Sequence, residues 1–469
     1  MTPSFDLENM LAWARDLYAF GIKRPGTVAD QRAEAYLLGL LRGFGLPEVS
    51  SEEVPFIGWF HEQSLLAARG PSGDLTLAAE PIVYTQFTSP AGITAPLVDL
   101  GPGRPEDFAG RDLRGRIALV TYAHGYLPYD GLRDLALYLH DPDESLSGQG
   151  QVMTWVTDEE MRVYRAAVSA GAVGLIGVFP LDVTPYLCYE GGHPFTGRTG
   201  PIPGLALRRS AGEALRRLAA EAPAEATMLL TGRMESAVTR NIVGLIPGES
   251  ERVIQVTSHH DTMWLGATED ISGVVVVLAL AQALSRQYAG RKPEHTLAVV
   301  LEGAECLYVL GSRGHIGRHR RDLIHNLVAD LHIEHLAREY VEENGRLRPT
   351  GRLQPRALFV TRAGPLPDLA REMVVRHDLR RTIVMPTDTP IGCPTDASAY
   401  ARSDLPVVSF ISAPLYWNAL EDTFDKLAEE ALVPTAGAYW DLIQALLQTE
   451  PSAIRPPGPP GEGYQRFKD

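Results

Sequence analysis

The stretch from Val253 to Leu284 limits the folds open to this chain more than any other. A β-rich run, VIQVT, breaks into Ser258-His259-His260-Asp261. A loop with Gly266, Glu269 and Asp270 follows, and Ser272-Gly273 leads into the apolar run VVVVLALAQAL. An apolar run of that length reads as a buried helix. A strand, a polar loop and a buried helix in this order call for a sheet with helices packed on its faces. In open α/β sheets ligands bind outside the carboxyl ends of the strands. Imidazole and carboxylate placed there suit Zn²⁺ or a similar divalent ion.

The rest of the chain repeats the alternation. Residues 1–50 read as two helices, the second from Val28 to Phe44 with Thr27 as N-cap. Residues 51–85 read as strands. From Ile93 the runs ITAPLVDLG, RIALVTY, AGAVGLIGVF and IPGLAL read as strands, with helices at Glu159–Ala170 and after IPGLAL. Tyr122 to Thr154 reads as a long loop rich in Tyr, Asp and Gly. Past Thr239, further strands are expected at TRNIVGLIPG, TLAVVLEG, HNLVADLHIEH, RALFVTRAG, RTIVMP and LPVVSFIS, with helices after Asn418. The expected fold is α/β: a mostly parallel mixed sheet flanked by helices. The Pro- and Gly-rich tail, residues 451–469, is expected to be extended or disordered.

Composition removes several classes of function. At 469 residues the chain has room for two or three domains. A net charge of -15 argues against a nucleic-acid or anionic-membrane partner. The three cysteines, Cys188, Cys306 and Cys393, are scattered and odd in number, which suits a reducing, cytoplasmic setting. The first residues read as an amphipathic helix and not as a leader. No apolar run approaches the roughly 20 residues that span a bilayer.

Six motifs in order carry a resemblance. They are His259-His260-Asp261; GATEDISG, Gly266 to Gly273; ECLYVLGS, Glu305 to Ser312; Asp330; TDASAY, Thr395 to Tyr400; and YWNALEDT, Tyr416 to Thr423. The chain resembles the zinc aminopeptidase family that includes glutamate carboxypeptidase and the transferrin receptor. That resemblance implies a zinc-exopeptidase-like fold with an inserted, β-rich α+β protease-associated domain. The expected division is 1–85 and 236–450 for the peptidase-like domain, 86–235 for the insert and 451–469 for the tail. It implies Glu305 as the general base and His259, Glu269 and Asp330 as holders of one metal, with Asp270 able to replace Glu269. At the second metal's positions stand Cys306, a thiolate ligand by chemistry, and Asn418, a poor one. Zn²⁺ or another divalent metal is therefore expected, one ion in preference to two. Asp261, Asp396 and Asp422 are expected to orient ligands or cap turns. Tyr416 and Asn418 are expected near substrate, and His332 and Glu334 are alternative ligands because they follow Asp330 at period two.

The function implied is a metal-dependent, aminopeptidase-like hydrolase of an amide bond in a small peptide or metabolite, cytoplasmic, with a homodimer as an option. Two alternatives stay open: a same-fold enzyme turned to non-peptidase chemistry on a specialised metabolite, and a catalytically silent binding or assembly protein.

Overall fold

In a computed structural model, described over residues 3–70, 73–153, 158–185, 194–221 and 223–465, the run after Asp270 forms the helix Ile271–Gln287. It is buried from Ile271 through Ala281. Four successive valines cost about 0.5 kcal/mol each in helix propensity. Burying each contributes about 1.5–3 kcal/mol, so packing decides the conformation. Gly273 has to be glycine, because a Cβ would lie 2.3 Å from the Ile333 carbonyl oxygen. That contact brings the helix start against the end of the neighbouring strand.

The helix lies against a mixed sheet. Four parallel strands form its centre, in the order His295–Glu302, Ser250–His259, Leu327–Ile333 and Val407–Ser412. Arg356–Val360, antiparallel to the last of these, and Thr382–Pro386 extend one side. On the other side lies the long strand Glu225–Ile246, antiparallel to His295–Glu302. It pairs with Glu48–Gly70 along nearly its whole length. Helices Leu7–Ala19, Val28–Gly43 and Glu429–Leu447 join the same hydrophobic core. Thr27 caps the second of these as expected, its hydroxyl accepting from the Asp30 N–H at 3.3 Å.

In the 86–235 segment, Ile93–Asp99, Ile117–Thr121, Gly174–Val178 and Gly204–Leu207 are parallel strands. Helices Asp158–Ser169 and Arg209–Glu221 alternate with them. Their sheet joins the main one because Ile93–Asp99 pairs with the near half of Glu225–Ile246. The boundary expected at 235 therefore falls inside a continuous strand.

Three expectations need correcting. The Tyr122–Thr154 stretch is partly structured over its described residues. Tyr138–His140 forms the outer strand beside Thr382–Pro386, and Gln151 Nε2 donates to the Ala413 carbonyl at 2.9 Å. A hairpin, Arg338–Glu343 with Arg346–Leu353, was not foreseen; its polar, half-exposed strands lack an apolar alternation. The tail is ordered over its described part: Arg455 is buried and donates to the carbonyls of Ile324, His325, Leu327 and Gly458. Cys188, His193, Thr154 and residues 466–469 lie outside the described residues.

Candidate metal and catalytic site

The four parallel strands deliver their side chains to one place. His259 is the last residue of its strand, and Glu334-His335 directly follows Leu327–Ile333. Register sets these opposite each other: Gln255 pairs with Asp330 and Thr257 with His332, so His259 comes level with Glu334. Asp396 enters from the loop before the short helix Ser398–Arg402. Its N–H donates to Glu334 Oε1 at 3.3 Å, and its Oδ2 lies 3.1 Å from His259 Nε2. One ligand atom from each of His259, Glu334, His335 and Asp396 falls within 4.8 Å of the others.

Both imidazoles are held so that Nε2 faces this cluster. His259 Nδ1 lies 3.0 Å from the Asp261 carbonyl oxygen, and His335 Nδ1 lies 2.8 Å from that of Ser412. A carbonyl only accepts, so each Nδ1 carries the proton and each Nε2 offers a lone pair. His259 Nε2, His335 Nε2, Glu334 Oε2 and Asp396 Oδ2 are buried without a hydrogen-bond partner. Buried polar atoms left unpaired cost about 1–3 kcal/mol each. Four converging on one point form a donor set that a divalent cation satisfies.

Charge leads to the same conclusion. Asp261, Glu269, Asp270 and Glu334 are buried around His259, and Glu305 and Asp396 adjoin it. Burial pushes Glu269, Glu305, Glu334 and Asp396 well above the usual carboxylate range. For Glu305 the neighbouring Asp396 adds to the effect. His259 is raised well above its ordinary value because Asp396 and Asp261 outweigh its desolvation. Such an excess of buried acid is met by protons or by a cation.

Glu305 and Glu269 also adjoin His259, and the three bring one ligand atom each within 4.8 Å of one another. The Glu305 and Cys306 N–H groups donate to the Asp261 carboxylate at 3.0 and 3.4 Å, which ties this loop to the His259 loop. Asp422 accepts from the N–H groups of Thr268 and Glu269. Both carboxylates thus join loops around the site. Ala304, His335 and Asn418 take left-handed backbone conformations, with φ of 56°, 52° and 50°. Such strain in non-glycine residues clusters at functional sites.

Several expected ligands prove to have other tasks. Asp330 sits three residues before the strand end at Ile333, accepting from Gln255 Nε2 at 3.0 Å and from the Thr257 hydroxyl at 3.0 Å. Glu334 has the strand-end position instead. Asp270 is the N-cap of the buried helix, accepting from the N–H groups of Gly273 and His335 and from the Ser258 hydroxyl. Both of its oxygens are engaged in hydrogen bonds. Cys306 is buried among apolar residues, its Sγ 3.7 Å from Glu269 Oε1. Asn418 bonds the same carboxylate. With its amide nitrogen facing Glu269, it lies 3.0 and 2.9 Å from the two oxygens, and its N–H donates to Oε2 at 3.0 Å. Tyr416 is not at the site: its hydroxyl donates to the Arg338 carbonyl at 2.6 Å, and its ring packs on Tyr340. Asp396, expected to orient ligands, stands in the ligand cluster itself. His335 was missed. Its one signal in the sequence is that it directly follows Glu334, the last of the period-two series Asp330, His332 and Glu334.

Residues 241–442, which contain every one of these site residues, match the model of peptidase family M28. Over this part the chain is similar to that family. A probable glutamate carboxypeptidase of Arabidopsis thaliana is 31% identical over 106 residues, which are 22% of this chain and 16% of that protein's length. Three solved structures share the fold over nearly the whole chain. An aminopeptidase from Aneurinibacillus sp. strain AM-1 has a TM-score of 0.65 at 19% identity, covering 99% of this chain and 97% of its own. A zinc aminopeptidase from Bacillus subtilis has 0.66 at 18%, covering 96% and 98%. A peptidase M28 precursor from Shewanella amazonensis has 0.68 at 19%, covering 97% and 99%.

Proposed function

We propose that this chain is a metal-dependent hydrolase of the aminopeptidase type, cleaving an amide bond in a small peptide or metabolite. The observation that carries the reading is the meeting of four unpartnered buried atoms, from His259, Glu334, His335 and Asp396, beside the Glu305 carboxylate. These four residues hold one divalent ion, zinc by the nature of the donors. When bound, the ion supplies Lewis acidity toward a carbonyl oxygen and lowers the pKa of water. Glu305 takes the proton of the attacking water and returns it to the leaving amine, so that water and amide become acid and amine. Asp261 keeps the His259 and Glu305 loops in register, and Asp422 fixes the loop bearing Glu269. The hold of Asn418 on both Glu269 oxygens supports one ion in place of two, because the carboxylate that would bridge a pair is already engaged.

The test is turnover of a panel of aminoacyl aryl amides by the zinc-loaded full chain, with and without Glu305→Gln. The variant is expected to keep its metal and lose about 10²–10⁴-fold in rate, the range of general acid–base catalysis. A chain that takes up no metal and turns over equally well as the variant would refute the reading.

A further inference from the structure

Away from this site the long strand Glu48–Gly70 meets the helix that follows the Glu305 loop. His315 lies in the helix Leu310–Arg318, and His319 is its C-cap. The spacing of four puts both imidazoles on one face. Their ring centroids are 4.7 Å apart. Glu52, from the strand Glu48–Gly70, reaches between them. Its Oε2 lies 3.1 Å from His315 Nδ1 and its Oε1 2.6 Å from His319 Nε2. One ligand atom from each of the three lies within 4.8 Å of the others. No residue is shared with the His259 site.

The outer nitrogens decide what the inner ones offer. His315 Nε2 lies 3.0 Å from Gln255 Oε1, whose amide nitrogen donates onward to Asp330 at 3.0 Å. His319 Nδ1 lies 2.9 Å from Asp322 Oδ1. An amide oxygen and a carboxylate accept, so both outer nitrogens carry protons. A neutral imidazole then turns its inner lone pair onto the Glu52 carboxylate, an arrangement that repels unless a cation lies between. Full protonation of both rings is the other way to relieve it. His315 is fully buried, where a charge is costly. The neighbouring cation does not fill the gap. Arg318 Nε is 4.0 Å from Glu52 Oε2, while its Nη2 donates to the Glu53 carbonyl at 2.9 Å.

We propose that Glu52, His315 and His319 form a second metal site, selective for zinc, that pins the helix after the Glu305 loop to the long strand Glu48–Gly70. Two imidazoles and one carboxylate, each imidazole oriented through its far nitrogen by an amide or a carboxylate, are the donor set and outer support that zinc takes.

Zinc equivalents retained after dialysis of the full-length chain give the test. His319→Ala is expected to lose one equivalent that His335→Ala keeps, so the count at this site is read separately from that at the hydrolytic one. A folded His319→Ala chain with the wild-type zinc content would overturn the proposal. His319→Cys covers the case in which that variant fails to fold. Thiolate is a zinc and cobalt ligand, so Co²⁺ added to this variant is expected to produce a sulfur-to-cobalt charge-transfer band that Glu52→Gln in the same background weakens. Absence of the band in the folded cysteine variant would also overturn it.

Discussion

At the residue scale, the decisive comparison is between Asp330 and Glu334. Both are buried acids on one face of one strand. Asp330 has its oxygens in hydrogen bonds from Gln255 and Thr257, whereas Glu334 turns a bare Oε2 into the cluster. Asp330→Asn is therefore expected to keep its zinc, and Glu334→Gln to lose most of it; equal retention in metal analysis would contradict the assignment. A second residue gives the chain a pH signature. Lys23 is fully buried, its amine donating to the carbonyls of Gly21 and Leu265, and desolvation pushes it from 10.5 down to about 8. Between pH 8 and 10.5 the unfolded chain holds a proton that the folded chain has released. Stability therefore rises with pH across that window, by about 3 kcal/mol at most. Chemical denaturation at a series of pH values is expected to show this slope in the wild type and to lose it in Lys23→Met.

At the scale of elements, the buried helix Ile271–Gln287 owes its position to its first turn. Asp270 accepts the N–H groups of Gly273 and His335, and Ser272 Oγ accepts that of Leu336 at 2.8 Å. One carboxylate thus closes the helix end and anchors the loop that carries His335. Asp270→Ala is expected to cost about 1–3 kcal/mol, more than an exposed cap, because it leaves buried donors unpaired. It should also weaken metal uptake through His335. A denaturation midpoint unchanged from wild type would show the cap to be dispensable. The short strand Tyr138–His140 lacks any periodicity of its own and is ordered by Thr382–Pro386, distant in the sequence.

At the scale of the whole molecule, the sheet continues from the peptidase part into the 86–235 segment through the two long strands, and the tail closes the far side. Arg455 spends its guanidinium on the backbone carbonyls at the start of Leu327–Ile333. Arg455→Ala is expected to destabilise the chain by about 2–4 kcal/mol, within the range for breaking a buried network, with a lower midpoint in thermal or urea unfolding as the readout. Among the described residues no helix is long and apolar enough to cross a membrane. The sequence alone was enough for the α/β layering and the place of the buried helix. Those depend on local pattern: apolar runs and turn residues. It did not distinguish Asp330 from Glu334, foresee His335, or separate a capping Asp270 from a ligand. Those outcomes follow from strand register and from which lone pairs remain after every hydrogen bond is made. Both arise only when segments remote along the chain are brought together.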